Sequence, residues 1–273
     1  MLEIYKEIVN IINRGSRAAL ATIIDTKGSV PRQAGAKMLI KEDGSSIGTI
    51  GGGSLELKTV NAAFEVIKEG RTVLLHFDMS GSGQKAEMIC GGNLDVLIEP
   101  IVSGETLFLF GAGHISEITA KIAKMLGFRI MVVDPRPDYN NKDRFPDADA
   151  NIVCGYEEAF PKLTIKSDDY IVIFTTGHLY DETCLNLAVR TKAGYIGMIG
   201  SRKKVAEIKE RLLKKGAPRK KLTEVFSPIG LEIYAQTPAE IAVSILAEII
   251  SFRRKENKIQ KDQNSKTVIH NSL

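Results

Sequence analysis

The hydrophobic pattern is clearest in residues 106–134, where it predicts a strand, a tight turn, a helix and a second strand. The run TLFLF ends abruptly at Gly111, which is typical of a strand buried on both faces of a parallel sheet. Apolar side chains then recur at helical spacing, at Ile115, Ile118, Ile122 and Met125. A β-rich run at 129–133 follows and ends in Asp134, so the segment is predicted to form a β–α–β unit.

On either side of this unit the pattern predicts two kinds of domain. Residues 1–102 are predicted to form a small α+β domain with an opening helix, a second helix at 57–68, and strands at 17–25, 36–40, 46–50, 71–77 and 94–99. Its opening helix is amphipathic, with an apolar face made by Leu2, Tyr5, Ile8, Val9 and Ile12. Residues 105–254 alternate strands with helices, which indicates a Rossmann-like, doubly wound parallel sheet.

The end of the chain is predicted from a loss of periodicity. The last helix is predicted to span 241–252, where one side is nearly all apolar. Residues 255–273 are polar and aperiodic, so they are predicted to form a C-terminal tail without a role in the core.

The turn of the β–α–β unit carries the candidate chemistry of the larger domain. Its sequence, GAGHIS, gives the pattern G-x-G-x-x-S, with Ser116 where a third Gly or Ala is usual. The first glycine permits the turn, the second lets a diphosphate approach the backbone, and the helix start supplies unpaired N–H groups. Asp134 stands where an acidic side chain would bind a ribose hydroxyl. The residues predict a nucleotide-binding type of fold and leave open whether a nucleotide is bound.

A second glycine-rich stretch lies in the smaller domain. Gly51, Gly52 and Gly53 precede the helix that contains Glu56, and they predict positive φ angles or a backbone that a ligand approaches closely. At a helix N-terminus such a stretch is a candidate anion-binding site. The alternative is a strand-to-helix turn capped by Ser54.

Three residues are candidates for catalytic chemistry. Cys90 follows a Gly- and Ser-rich loop and precedes two glycines, which indicates an exposed thiol; the alternative is a small buried hydrophobic residue. His178 and Asp181 follow the strand at 170–174, at the edge of the sheet where open α/β folds bind ligands. His178 is the candidate for proton transfer, and Asp181 either assists it or caps the following helix.

Cations at two loops are candidate anion ligands. Arg136 follows Asp134 in a rigid loop and is either a phosphate ligand or a solvated arginine. Ser201, Arg202 and Lys203 stand at a strand-to-helix turn. Because cations oppose the dipole at a helix N-terminus, this turn favours a bound phosphate or carboxylate over a merely capped helix.

Composition and charge argue against a few classes of protein. Of 273 residues, 44% are hydrophobic and 26% are charged, and the formal net charge of +4 is too small to indicate nucleic-acid binding. The 3 Cys lack C-x-x-C spacing, which argues against a disulfide framework or a structural zinc site and predicts a cytoplasmic protein. No apolar run approaches about 18 residues, so no membrane association is predicted.

Several motifs occur together in one order, namely GTIGGGSLE, ICGG, LFGAGHIS, VDPRP, RFPDAD, TTGHLYDE, YIGMIGSRKK, SPIGLEI and TPAEIAVSILAEII. In these motifs, which cover about residues 8–254, the chain resembles the XdhC/CoxI family of accessory factors for xanthine dehydrogenase and related molybdenum hydroxylases. The resemblance implies a chaperone that binds molybdenum cofactor (molybdopterin), supports its sulfuration and inserts it into the apo-hydroxylase. It also implies a cysteine desulfurase as a second partner.

Carried over residue by residue, the resemblance assigns Cys90 to contact with sulfur or molybdenum. The other matched positions are Gly51, Gly52, Gly53, Glu56, Gly111, Ala112, Gly113, His114, Asp134, Arg136, His178, Asp181, Ser201, Arg202 and Lys203. Some members of the family have cysteine where this chain has Ser54. A mechanism that needs a second thiol at this position therefore does not transfer to this chain.

Three hypotheses for function remain from the sequence. The first is the cofactor chaperone, a binding protein rather than a catalyst. The second is an NAD(P)-dependent oxidoreductase, which ranks lower because the chain shows no catalytic Tyr-x-x-x-Lys pattern. The third is an interaction protein with an empty nucleotide fold, which would not need glycines at 51–53 and Cys90 in loops. NAD(P) or another nucleotide stays open as a second ligand, and a homodimer is expected on base rates.

Overall fold

The computed structural model describes residues 1–78, 92–102, 104–176 and 178–265. The chain divides into two compact units, Met1–Gly104 and Glu105–Leu273. The first contains an antiparallel sheet and the second a parallel sheet, each with 5 strands, and each flanked by helices. The predicted fold class, a small α+β domain followed by a Rossmann-like domain, is confirmed.

The first unit is built around one long strand. Within the described residues, its elements are α1 (Leu2–Arg14), β1 (Arg17–Lys27), β2 (Lys37–Lys41), β3 (Ser46–Gly48), α2 (Gly53–Glu69), β4 (Val73–Asp78) and β5 (Asn93–Val102). The antiparallel sheet has the order β3-β2-β1-β5-β4, so β1 is central. Side chains of β1 alternate between two cores, since Ala19, Ala21 and Ile23 pack with α2 while Ala18 and Leu20 pack with α1. Burial on both faces explains why this strand is apolar along most of its length.

The predicted apolar face of α1 is mostly wrong. Ile4 and Ile11 are buried against the sheet, with Ile8 packed beside them. Four of the predicted residues are exposed instead, namely Leu2, Tyr5, Val9 and Ile12. The helix carries two apolar stripes at helical spacing, and spacing alone does not show which stripe faces the sheet.

The second unit begins with the predicted β–α–β unit. Its elements are β6 (Thr106–Phe110), α3 (His114–Met125), β7 (Arg129–Val133), β8 (Ala150–Ile152), α4 (Tyr156–Ala159), a 3-10 helix (Phe160–Lys162), β9 (Tyr170–Ile173), α5 (His178–Ala188), β10 (Tyr195–Met198), α6 (Arg202–Lys214), α7 (Arg219–Thr223) and α8 (Pro238–Ser265). All strand pairs are parallel and the order is β10-β9-β6-β7-β8. Chain order therefore runs outward in both directions from β6, and the reversal lies between β6 and β9. In such sheets ligands bind outside the carboxyl ends of the strands at this reversal.

Helices cover both faces of the parallel sheet. On one face, α3 and α8 bury residues such as Ala123, Leu246 and Ile249. On the other face, α4, α5 and α6 bury Tyr156, Leu185 and Ile208. The last helix continues to Ser265, well beyond its predicted end. Its polar C-terminal part hid the helix from the hydrophobic pattern, although Lys, Glu and Gln favour helices.

Candidate functional site

The turn after β6 lies at the reversal of strand order, where the sequence predicts it. Gly111 has φ 110°, a conformation that side chains with a Cβ rarely adopt. A Cβ at this position would lie 2.6 Å from the carbonyl oxygen of Phe174 at the end of β9. Only glycine therefore lets β6 and β9 end side by side at this point.

Gly113 differs from Gly111, because the fold does not require it. Its φ of −78° and ψ of −177° are open to any residue. A Cβ at Gly113 would meet no heavy atom within 4 Å among the described residues. The backbone at the start of α3 therefore faces open space, and no described side chain caps it. The exposed His114 is the first residue of the helix.

Ser116 takes the place of the third glycine at the cost of an unpaired hydroxyl. The side chain is fully buried, and its Oγ has no hydrogen-bond partner among the described residues. A buried hydroxyl without a partner is uncommon in folded proteins. The fold therefore has room for serine where a third glycine is usual, but no described residue forms a hydrogen bond with its hydroxyl.

Asp134 lies beside the turn, with its carboxylate bound on all sides by the protein. Oδ2 accepts the backbone N–H of Ala112 at 2.8 Å and Nη2 of Arg136 at 2.8 Å. Oδ1 accepts the backbone N–H and Nε of Arg136 at 3.0 and 2.9 Å. Burial acts to raise the pKa of Asp134, but the hydrogen bonds from Arg136 and Ala112 hold it below its usual value. The protein supplies all four donors to this carboxylate, and the contact with a ribose hydroxyl stays a prediction.

Sequence reasoning missed two neighbours of this turn. The Arg144 Nη1 donates to the carbonyl oxygen of Ala112 at 2.8 Å, and its Nη2 donates to Glu117 Oε2 at 3.0 Å. Tyr139 lies under the Arg136 guanidinium, with 4.1 Å between the carbon Cζ and the ring centroid. Arg144 stands in the motif RFPDAD, but nothing in that motif indicates a contact with Ala112, which lies 32 residues earlier in the chain.

Asp181 lies in the first turn of α5 and forms a second buried charge cluster. The fully buried carboxylate accepts hydrogen bonds from the hydroxyl of Thr175 and from Nζ of Lys204. Asp181 thus ties the first turn of α5 to the first turn of α6. The predicted role as a helix cap is wrong, because α5 already begins at His178 and Asp181 lies inside it. Sequence reasoning did not single out Lys204 as its partner. The side chain of His178 lies outside the described part of the structure.

The predicted anion site at 201–203 contains three separate environments. Ser201 caps α6, because its Oγ accepts the backbone N–H of Lys204 at 3.3 Å. Arg202 lies 3.8 Å from Glu232, and both side chains are largely exposed. Lys203 is exposed to solvent. Their role as anion ligands stays a prediction.

The backbone of the glycine stretch in the first unit binds a carboxylate of the chain itself, that of Glu56. Gly51, Gly52 and Gly53 all have positive φ, as predicted. Glu56 Oε1 accepts the backbone N–H groups of Ile50 at 3.2 Å and Gly52 at 3.0 Å, together with the Thr49 hydroxyl. Partial burial raises the pKa of Glu56, but the bonds from Thr49, Gly52 and Ile50 lower it more, so the net direction is downward. A carboxylate thus already satisfies the N–H group of Gly52 in the predicted anion site and that of Ile50 just before it.

Replacing Glu56 by Gln is expected to destabilise the protein by about 1 kcal/mol at pH 7, because hydrogen bonds to a charged acceptor are lost. The folded-state pKa is below the unfolded value, so the carboxylate stabilises above the unfolded pKa, and this contribution is lost as pH falls through the folded pKa. Urea unfolding at several pH values measures the difference. Glu65→Gln, on an exposed position of the same helix, is the control. An equal loss in both variants would contradict the bracing role of Glu56.

Cys90 lies outside the described residues. Within the described ranges, no group of His, Cys, Asp or Glu is arranged to hold a metal ion. No described helix is both long and apolar enough to cross a membrane.

Fold and site together define a class of protein. A parallel sheet with a glycine turn at the reversal of strand order makes the second unit a Rossmann domain, and it follows a smaller unit with an antiparallel sheet. Residues 107–249 match the family model described as the XdhC Rossmann domain, and residues 11–78 match the model of the XdhC and CoxI family. The chain belongs to the XdhC and CoxI family, which confirms the resemblance found in its motifs.

Individual relatives agree with this assignment. YqeB of Escherichia coli K12, an uncharacterized protein, is 32% identical over 254 residues. The alignment covers 92% of this chain and 46% of YqeB, so the chain spans about half the length of that relative. The molybdenum cofactor insertion chaperone PaoD of the same organism is 22% identical, with 90% of this chain and 86% of PaoD covered. The crystal structure of a xanthine dehydrogenase, BH1974 from Bacillus halodurans, is similar at 25% identity and a TM-score of 0.52, covering 92% of this chain and 96% of BH1974.

Proposed function

We propose that this chain is an accessory protein of a molybdenum hydroxylase. It binds molybdenum cofactor, supports its sulfuration and inserts it into the apo-enzyme. Membership of the XdhC and CoxI family supports this role, as does similarity to a relative named as a molybdenum cofactor insertion chaperone. The similarity to a protein named as a xanthine dehydrogenase favours a hydroxylase of that type as the partner.

The observation that carries the proposal is the open backbone at Gly113. Molybdenum cofactor ends in a phosphate, and the start of a helix with free N–H groups is suited to a phosphate. The space beside Gly113 contains no described atom within 4 Å of a Cβ position, so the turn fits such a group. The backbone of Gly113 and His114 would hold the phosphate, with Arg136 beside it. When bound, the cofactor supplies the metal centre that a hydroxylase needs.

The residues of this chain bind and orient rather than react. The turn and α3 hold the phosphate end through backbone donors whose positions are fixed by Gly111, Arg144 and Asp134. Cys90 is the proposed contact of the sulfur or metal end, on the family resemblance. Binding through backbone N–H groups is reversible, which suits a protein that releases its ligand to a partner.

Mixing the purified chain with molybdenum cofactor is expected to give a complex that retains pterin fluorescence through a desalting column. Cys90→Ala is expected to weaken retention, because it removes a soft ligand for the sulfur or metal end. Cys154→Ala is the matched control, since Cys154 is a half-buried free thiol of the second unit. Equal retention by both variants would remove Cys90 from the site. Failure of the loaded chain to activate an apo-hydroxylase would contradict the chaperone role.

A second candidate function is an NAD(P)-dependent oxidoreductase. The observation in its favour is the strand order, which places the G-x-G turn where dinucleotides bind in Rossmann domains. Titration with NADPH and an assay for hydride transfer test it. Binding without turnover would leave a dinucleotide as a ligand of an accessory protein.

The proposed partners are an apo molybdenum hydroxylase and a cysteine desulfurase, and the proposed assembly is a homodimer. Co-purification of the tagged chain with each partner, together with mass photometry of the chain alone, tests these three proposals separately.

A further inference from the structure

Asp134 has no free acceptor site for a ribose. Its two oxygens accept four hydrogen bonds of 2.8–3.0 Å, one from Ala112 and three from Arg136, and the side chain is fully buried. A ribose diol could reach this carboxylate only after Arg136 had left it. Removal of one partner from a buried ion pair is strongly unfavourable. The geometry therefore argues against a ribose contact at the end of β7.

Arg136 retains donors that point away from Asp134. Nε and Nη2 make the fork with the carboxylate, while Nη1 has no acceptor among the described residues. A guanidinium has five N–H donors, so its outer edge, Nη1 and the second hydrogen of Nη2, can still bind an anion through two bonds. The side chain of Arg136 is 35% exposed, so a ligand can reach that edge.

The orientation of Arg136 is fixed on three sides. Asp134 binds one edge of the guanidinium, the Tyr139 ring lies 4.1 Å from its centre, and its own backbone N–H is held by the same carboxylate. The carboxylate that holds Arg136 also holds the N–H of Ala112 in the turn. The cation and the open backbone at Gly113 are thus positioned by a single buried side chain.

We propose that the second unit selects ligands that carry a phosphate monoester over ligands that carry a free diol or a diphosphate linkage in its place. Arg136 binds the monoester and Asp134 is the residue that positions Arg136. The inference rests on one part of the proposed function, namely that the phosphate of the ligand approaches the turn at Gly113, and not on the identity of that ligand. A monoester dianion has three free oxygens and matches the bidentate edge of an arginine, while a diol offers no charge to it.

Two ligands could supply this chemistry, a nicotinamide dinucleotide with a 2′-phosphate and a pterin with a terminal phosphate. Two pairs of probes separate them: NADPH against NADH, and the pterin phosphate against the corresponding pterin dinucleotide. Each is titrated into the full chain by calorimetry or fluorescence. In at least one pair we expect the monoester member to bind about tenfold more tightly or better. The pair that shows the preference identifies the source of the phosphate.

Variants then assign the preference to Arg136. Arg136→Gln is expected to abolish the difference between the two members of the pair, and Asp134→Asn to reduce it. Arg136→Lys retains the charge without the fork and is expected to restore only part of the preference. Arg190→Gln is the matched control, because Arg190 is exposed and contacts the side chain of Asn186. The first comparison uses the unaltered chain, so it does not depend on the folding of any variant.

The outcomes separate this inference from the proposed function. Equal binding of both members in both pairs, or no binding of all four probes, overturns the preference for a monoester. A preference that survives Arg136→Gln overturns the role of Arg136. If molybdenum cofactor is retained on a desalting column while neither pair shows a preference, only this inference fails. If NADPH is preferred and the cofactor is not retained, the proposed function fails and this inference stands.

Discussion

Replacing Lys204 by Met is expected to destabilise the protein by ~3 kcal/mol, because it leaves the Asp181 carboxylate buried without its cation. Asp181 is fully buried and the Lys204 side chain is 20% exposed, so solvent screens the pair little. The hydroxyl of Thr175 would remain as the second donor, which prevents a larger loss. Urea unfolding, followed by a probe of the second unit, measures the change.

Lys203→Met is the control for this prediction, because the neighbouring Lys203 is exposed and is expected to change stability by less than about 0.5 kcal/mol. In the double variant, Asp181→Asn with Lys204→Met, the loss in the free energy of unfolding is expected to be smaller than the sum of the losses in the two single variants. Such non-additivity is the signature of a direct pair. Equal effects at Lys203 and Lys204 would show that Asp181 does not depend on its cation.

The strand–turn–helix–strand core of the second unit could be predicted because its signals are local. The run at Thr106–Phe110 is apolar on both faces, Gly111 marks the turn, and the apolar spacing marks α3. In open parallel sheets, ligands bind outside the carboxyl ends of the strands where the strand order reverses. The turn after β6 is therefore expected to be part of a ligand-binding site. The open backbone at Gly113 agrees with that expectation, since no described heavy atom lies within 4 Å of a Cβ placed there.

The contacts that hold the turn could not be predicted, because they join residues far apart in sequence. Ala112 is bound by Asp134 and Arg144, which are 22 and 32 residues away. Asp181 and Lys204 are 23 residues apart and belong to different helices. The sequence also assigned Asp134 and Arg136 to separate ligand contacts, whereas the structure joins them in one ion pair. Only side-chain geometry shows that the carboxylate is saturated and that the arginine is not.

Glu56 illustrates a different limit of sequence reasoning. A carboxylate in the first turn of a helix is favourable wherever it points, so its presence in α2 does not show what it binds. The structure shows that it accepts the N–H group of Gly52 within the glycine stretch and that of Ile50 just before it. In both units, therefore, a carboxylate of the chain organises the glycine turn. The start of α3 differs because Ala112 provides the one N–H of this turn that Asp134 accepts among the described residues, and the backbone that follows is left open.

Replacing Gly111 and Gly113 by Ala, one at a time, is expected to separate folding from ligand binding. At Gly111 the new Cβ would lie 2.6 Å from Phe174 O with φ at 110°, so strain and overpacking together are expected to cost roughly 3 kcal/mol. For a unit of this size, such a loss corresponds to a fall in Tm of roughly 10 °C. At Gly113 the conformation is extended and the space is open, so the same change is expected to cost less than about 1 kcal/mol.

The effects on ligand binding are expected to have the opposite order: among correctly folded molecules, Gly113→Ala weakens binding more than Gly111→Ala. Gly113→Ala places a methyl group where the phosphate of the ligand would approach the N–H groups of α3, so cofactor retention is expected to fall about tenfold or more in a fully folded protein. Thermal unfolding and pterin fluorescence after desalting, measured on the same samples, test both parts. If Gly113→Ala retained the cofactor as well as the unaltered chain, the ligand would not approach this turn. Loss of binding without loss of fold would make the turn at Gly113 the phosphate site, because nothing in the described structure occupies the space that the methyl group would fill.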